Sequence, residues 1–358
     1  MAELTFAGLG GWSGVLGRLS SGEPLSTEES ECVLGQVLDG EATEAQIAAL
    51  LIALRVKGET VDEMVGFVRS ILAHAEPLAI EGDVLDLVGT GGDRLGSINV
   101  TTLAALIAAG AGARVCKHGN RAASSSVGTA DVLEALGVVV DLGPAGVASC
   151  LAEAGMGFCF APRFHPAFRH VGPVRRQLGV PTVFNFLGPL ANPARARHQL
   201  VGVSDARMAE TMAGVLGANG SHRSMVMFAD DGLDELSVTS PSTVVELTGD
   251  GSSFELTTWR LEPGDLGIPA ATLDDLSGGD AAFNATAIRA VLDGRAGPHR
   301  DIGVLNAAAG LVVAGLTPDL VAGIEMSAAA IDSGAAAGVL DRLVAASAKA
   351  AAAQAQSV

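Results

Sequence analysis

Tyrosine is absent, and all aromatic residues together make up only 4% of the 358-residue chain, so its core has to be aliphatic. Apolar residues are nevertheless plentiful at 49%, a balance that suits Ala- and Val-rich helices packed on a sheet. Lysine occurs only at Lys57, Lys117 and Lys349, and 22 basic against 40 acidic residues leave a formal charge of −18. A surface of that sign excludes a general nucleic-acid or anionic-membrane face, because both need cations to displace counterions. Cys32, Cys116, Cys150 and Cys159 lack metal-type spacing, and three of them sit in apolar runs, so reduced core thiols are expected. The start of the chain shows no basic segment followed by an apolar one, so no signal peptide is expected. The longest apolar stretches, Leu103 to Ala113 and Val304 to Leu316, are too short and Gly-rich to span a bilayer, and the expected compartment is the cytoplasm.

The length suits two units, and the periodicity changes once along the chain. Ser26 to Glu29, Thr43 to Gln46 and Thr60 to Glu63 are capping boxes, each predicting a helix start. Ile47, Leu50, Leu51 and Leu54 then recur at helical spacing and Gly58 supplies a stop, so the first 75 or so residues read as a helical lobe. From Val84 onward, β-type runs at Val84 to Val88, Ala113 to Cys116, Val138 to Val140, Phe158 to Ala161, Leu200 to Val203 and Met225 to Phe228 follow one another. Helix-length segments such as Thr101 to Gly110 and Asp205 to Leu216 separate several of them. Such alternation predicts an α/β domain with parallel strands and sites at strand C-terminal ends. The Ala- and Gln-rich tail is expected to be flexible over 346–358.

Four segments carry candidate chemistry. Gly89-Thr90-Gly91-Gly92-Asp93 follows the first strand, and Asn99, Thr101 and Thr102 open the next helix. Glycines there let backbone N–H groups approach a phosphate; a plain tight turn is the other reading. Lys117-His118-Gly119-Asn120-Arg121, with Ser124, Ser125, Ser126 and Thr129 beyond, gathers cations, an imidazole and hydroxyls into an anion cradle or a solvated loop. Half of all Lys and Arg residues fall between Arg114 and Arg223. His165 and Arg163, Arg169, Arg175 and Arg176 lead into Phe184-Asn185-Phe186-Leu187-Gly188-Pro189-Leu190-Ala191-Asn192-Pro193. Those arginines serve equally as carboxylate forks or as structural ion-pair partners. Asp230-Asp231-Gly232-Leu233-Asp234-Glu235-Leu236 is an acidic turn, expected to be exposed, that suits a hard cation or is a chance cluster in an acidic chain.

These motifs, in this order, resemble the anthranilate phosphoribosyltransferase family, and the likeness covers about Leu25 to Leu343. The resemblance implies a nucleoside-phosphorylase-like α/β fold, with a small helical lobe plus a larger α/β domain built on a mostly parallel central sheet. The lobe would comprise 1–80 and a returning segment of about 175–195 and would carry a homodimer contact; 81–174 and 196–345 would form the α/β domain. The implied reaction joins anthranilate to phosphoribosyl pyrophosphate in tryptophan biosynthesis and requires Mg²⁺. Gly89, Thr90, Gly91, Gly92, Asp93, Asn99, Thr101, Thr102, Lys117, Ser124, Ser125, Ser126 and Thr129 would hold phosphoribosyl pyrophosphate. Gly89, His118, Asn120, His165 and Arg175 would line the anthranilate channel, and Thr101, Asp234 and Glu235 would hold metal, with no obligatory acid or base. Thr101 stands where Ser is usual, Phe168 where Met is frequent, and Pro181 where Arg is common. A pyrimidine nucleoside phosphorylase-like enzyme and a noncatalytic nucleic-acid-binding relative are the alternatives.

Overall fold

The computed structural model describes residues 4–93, 95–122 and 127–356. The segment before the first strand is helical: α1 (Gly11–Ser20), α2 (Thr27–Leu38), α3 (Glu44–Lys57) and α4 (Val61–Ala73). All three expected capping boxes form, with Ser26, Thr43 and Thr60 each accepting from the backbone three residues on. Gly58 ends α3 at φ 89°, a backbone conformation that any Cβ would strain.

Among the described residues seven strands follow: β1 (Leu85–Gly89), β2 (Val115–Gly119), β3 (Met156–Phe160), β4 (His198–Gly202), β5 (Arg223–Ala229), β6 (Ser242–Gly249) and β7 (Phe254–Leu261). They form one sheet in the order β3-β2-β1-β4-β5-β6-β7. β1 to β5 pair in parallel, while β6 and β7 add an antiparallel edge. Alternation along the parallel strands divides the core in two, as a period of two requires. Leu85, Leu87, Leu200, Met225 and Met227 join one cluster with the helix α5 (Val100–Gly110) and the C-terminal helices. Val88, Val201, Val203 and Val226 join the other, which also holds the side chains of α1 to α4 and of Val171, Val174, Val183, Phe184 and Phe186.

The structure departs from three expectations. Val138 to Val140 is no strand: Val138 and Val140 are buried, and the Val139 N–H donates to Ser347 Oγ at 3.0 Å on the C-terminal helix. That helix, Ala335–Ala355, runs through most of the segment expected to be flexible, and Gln354 accepts from the Gly143 N–H at 2.8 Å. The two irregularities have one cause, since the helix supplies the partners that a sheet would otherwise give. The β6–β7 hairpin is the third difference, an element that the β-type runs of the sequence do not include. Its turn is ordered by Asp250, whose Oδ1 accepts from the N–H groups of Ser252 and Ser253 at 2.8 and 2.9 Å.

Candidate active site

The site lies where β1, β2 and β5 end. Beyond β1 the backbone turns through Gly91 and Gly92 at φ 65° and 90°, conformations open to glycine. The Gly91 N–H donates to Asp234 Oδ2 at 2.7 Å, and the Thr90 N–H to the Gly202 carbonyl at 2.9 Å. Ser204 ties the same turn down, donating to the Gly91 carbonyl at 3.0 Å and through its N–H to Thr90 Oγ1 at 3.1 Å. Asn99 caps α5 by accepting from the Thr102 N–H at 3.1 Å, which places Thr101 on the first helical turn. The Asn99 N–H is held in turn by Asn284 Oδ1 at 2.8 Å.

Lys117 and His118 lie within β2 rather than in the loop beyond it, and both are buried. Lys117 Nζ donates to the Leu87 carbonyl. Burial pulls its pKa down to about 8, against the pull of the Asp86, Glu235 and Asp234 carboxylates. Asp86, fully buried in β1, is pushed up to about 6 by desolvation, opposed by Lys117 and by the Asn192 amide 2.8 Å away. Asn192 also donates to the Cys116 carbonyl at 2.8 Å, so one amide joins β1, β2 and the motif that ends at Pro193.

Asp234 and Glu235 are buried, 5% and 8% exposed, contrary to the expected exposed turn. Leu233 and Leu236 anchor their loop in the core, where the Asn306 side chain accepts from the Leu236 N–H and donates to its carbonyl. Asp231 accepts from the Ser237 and Thr239 hydroxyls and Asp230 pairs with Arg260, so these two acids brace the loop. Asp93 comes from the glycine turn to join Asp234 and Glu235, with the three carboxylates offering oxygens within 4.8 Å of one another. Desolvation and then the Asp93 charge raise Asp234 to about 6; desolvation and the Asp234 charge raise Glu235 well above the usual range. Among the described residues, Glu235 Oε2 is buried without a hydrogen-bond partner. Three hard oxygen donors with one orphaned oxygen fit a divalent cation such as Mg²⁺. The sequence reading gives Asp93 to the phosphate side; its adjacency to the glycine turn is the available signal.

A second wall is aromatic. His118 and His165 meet edge to face with ring centroids 5.1 Å apart, His165 stacks on Phe168 at 5.1 Å, and Phe168 meets Phe184 at 5.5 Å. Burial lowers His118 well below the ordinary imidazole range and His165 to about 4, so both rings are neutral at physiological pH. The Arg175 guanidinium lies over Phe184, 5.6 Å from its centroid, and donates to Asn185 Oδ1 at 3.3 Å. Burial lowers its pKa, and among the described residues it forms no ion pair. Arg121, by contrast, is engaged by Asp131 and Glu134. Asn120 is exposed and accepts from the Arg121 N–H at 2.7 Å, while Thr129 begins the helix Thr129–Ala135. Ser124, Ser125 and Ser126 lie outside the described residues.

The chain matches two family models, a glycosyl transferase helical bundle domain over residues 13–75 and a glycosyl transferase a/b domain over residues 81–337. It is 52% identical to an anthranilate phosphoribosyltransferase of Arthrobacter sp. (strain FB24) over 340 residues, covering 93% of this chain and 95% of that one. The Salinispora arenicola (strain CNS-205) protein of the same name is also 52% identical, over 342 residues covering 93% and 96%. Among solved structures, the anthranilate phosphoribosyltransferase from Thermus thermophilus superposes with a TM-score of 0.87 at 42% identity, covering 93% of this chain and 98% of that one. The Saccharomyces cerevisiae enzyme in complex with PRPP and Mg gives 0.85 at 26% identity, covering 94% and 98%. With sequence likeness spanning both the helical and the α/β parts, and with the same fold in solved relatives, the chain belongs to the anthranilate phosphoribosyltransferase family.

Proposed function

We infer that this chain transfers the phosphoribosyl group of phosphoribosyl pyrophosphate to the amine of anthranilate and releases pyrophosphate. The observation that carries this reading is the convergence of the glycine turn, Lys117 and a buried carboxylate trio at one sheet edge, with a chain of aromatic rings that starts at His118, next to Lys117, and ends under Arg175. Backbone donors of the turn and the Lys117 ammonium suit phosphate oxygens. Asn99 and Thr129, at helix starts, extend the same surface, and Thr102, buried in the first turn of α5, is assigned to it as well, with Thr101 assigned beside a second ion.

The reaction forms a bond from the anthranilate nitrogen to the anomeric carbon as the bond to pyrophosphate breaks and the nitrogen gives up a proton. Positive charge grows on the ribose and negative charge on the leaving group, so donors already aimed at pyrophosphate lower the barrier. Asp93, Asp234 and Glu235 would hold Mg²⁺, which when bound supplies positive charge next to the leaving phosphates. The binding of Mg recorded for yeast relatives supports the ion. The neutral rings of His118 and His165, packed edge to face, offer aromatic contact and no charge, so the anthranilate carboxylate falls to Arg175. Asn120 and Gly89 complete the channel; a Cβ on Gly89 would meet Asp234 Oδ2 at 2.5 Å. An aromatic amine held in place needs no strong base, and orientation of the two substrates supplies much of the remaining acceleration.

We also assign 1–80 with about 175–195 to a dimer-forming helical lobe and 81–174 with 196–345 to the α/β domain. The cytoplasm as compartment is supported by four free thiols. Tryptophan biosynthesis is the context this chemistry fits. The test is the loss of anthranilate fluorescence when phosphoribosyl pyrophosphate and Mg²⁺ are added together. Unchanged fluorescence with both present, or full turnover after exhaustive chelation, overturns the reading.

A further inference from the structure

At the opposite end of the sheet from the active site, three adjacent parallel strands begin with side chains of metal-ligand type. Asp83 precedes β1 by two residues, His198 opens β4, and His222 immediately precedes β5. Register brings them side by side, since Leu85 pairs with His198 and His198 with Arg223. Asp83 Oδ2 lies 3.5 Å from His198 Nε2 and 3.6 Å from His222 Nδ1, and the three donor atoms all fall within 4.8 Å of one another. The two imidazoles stand 6.0 Å apart, centroid to centroid, at 75°. Donors bound to one tetrahedral ion at about 2.0 to 2.1 Å are about 3.3 Å apart. The two carboxylate-to-imidazole separations are therefore within a few tenths of an ångström of a coordinating set.

We propose that Asp83, His198 and His222 form a second metal site, taking a borderline transition-metal cation such as Zn²⁺ through two imidazoles and one carboxylate, with the fourth position left to water. Two nitrogen donors and one oxygen suit Zn²⁺ and disfavour Mg²⁺, which prefers an all-oxygen shell. The site is therefore chemically distinct from the carboxylate trio at the front of the sheet. One group competes with the ion. Arg197 places a guanidinium nitrogen 3.0 Å from His222 Nε2 and its Nε 4.0 Å from Asp83. Coordination through His222 Nδ1 leaves a proton on Nε2, which no longer accepts from Arg197, so the guanidinium must swing into solvent. It is half exposed and free to do so. Arg197 thus lowers affinity, and removing its charge should raise it. A bound ion would tie together the starts of β1, β4 and β5 and stabilise the folded chain by mass action.

The test uses the full chain in excess Mg²⁺, with Zn²⁺ titrated against a chromophoric chelator and Co²⁺ read by its visible spectrum. One equivalent of Zn²⁺ should bind to the wild type and to the Asp234→Asn/Glu235→Gln variant alike. His198→Gln and His222→Ala should each weaken it by at least about tenfold, since even loss of an outer-shell partner costs that much. Arg197→Gln should tighten it, and Co²⁺ should give the strong visible bands of a four-coordinate site that His222→Ala abolishes. Basal turnover of His222→Ala in Mg²⁺ should match the wild type. Absence of Zn²⁺ binding to the wild type, unaltered binding in the folded His222→Ala variant, or loss of binding in the front-site variant would each overturn the proposal. His222 sits at a partly exposed strand end, so its variant decides the matter even if His198→Gln fails to fold.

Discussion

Burial lowers the pKa of Lys117 to about 8, against the opposing pull of the Asp86, Glu235 and Asp234 carboxylates, so it carries charge at neutral pH and loses it just above. An ammonium is present below its pKa and absent above it, so affinity for a phosphate-rich substrate should fall as pH rises through about 8. kcat/KM for phosphoribosyl pyrophosphate should therefore show a basic limb near that value, and a profile flat to well beyond it would remove Lys117 from the phosphate site. Arg175 makes the matching case on the other substrate. A charge-assisted hydrogen bond contributes roughly 1.5 to 3 kcal/mol net, so Arg175→Ala should raise the KM for anthranilate about tenfold to a hundredfold or more. The KM for phosphoribosyl pyrophosphate should barely change, since Lys117 and the glycine turn lie on the other wall. The sequence leaves open whether Arg175 grips a ligand or braces an acidic neighbour. Its lack of an ion pair among the described residues favours the grip. Equal losses for both substrates with a lowered melting temperature would favour the brace.

The acidic loop after β5 depends on elements far from it in sequence. A Cβ on Gly202, at the end of β4, would sit 1.4 Å from the Asp234 carbonyl oxygen, so strand and loop touch backbone to backbone. Gly202→Ala should displace the carboxylate trio and cost about 3 kcal/mol or more, at the upper end for overpacking. Its melting curve and its Mg²⁺ response should both deteriorate, whereas a normal Mg²⁺ response would separate Gly202 from the site. Asp234→Asn with Glu235→Gln should act oppositely on stability. Both acids have raised pKa values, so the folded state prefers them protonated and loses stability as pH rises from the ordinary carboxylate range through the raised value of each, about 6 for Asp234. Neutral replacements should leave the metal-free protein at least as stable at pH 7, abolish the rise in melting temperature on adding Mg²⁺, and cut turnover about a hundredfold or more. A retained Mg²⁺-dependent rise would detach the pair from the ion. Much of this is legible in sequence: capping boxes mark three helix starts, and the motif order marks the converging segments. The burial of Asp234 and Glu235 is not, because it is set by Asn306 and Gly202 from distant elements. Val138 to Val140 misleads for a similar reason, since an apolar run reads as a strand whether a sheet or a helix covers it. The β6–β7 hairpin is signalled by Asp250-Gly251, but its outer strand is largely exposed and interrupts its apolar alternation at Thr257-Thr258.

At the scale of the molecule, the apolar cluster of the helical lobe is continuous with one face of the sheet, because residues between 171 and 191 return to pack with α1 to α4. The returning helix Gly172–Leu178 lies against α3, and near this junction Val56 is 82% exposed and Val180 50% exposed. A chain of net charge −18 repels its own copies, so self-association needs apolar contact to offset that repulsion. Val56 sits on the last turn of α3 between Arg55 and Lys57, whose charges are paired with Glu59 and Glu63, so the repulsion has to be offset by the apolar side chains themselves. A two-fold contact through this face would bring each patch against its own copy, so a single charge introduced there acts twice. Val56→Asp should therefore shift the protein from dimer to monomer in sedimentation velocity, while its fold by circular dichroism stays unchanged because the side chain is already in solvent. A wild-type protein that sediments as a monomer at all concentrations would reject the dimer, and a Val56→Asp variant that remains dimeric would move the contact to another face of the lobe.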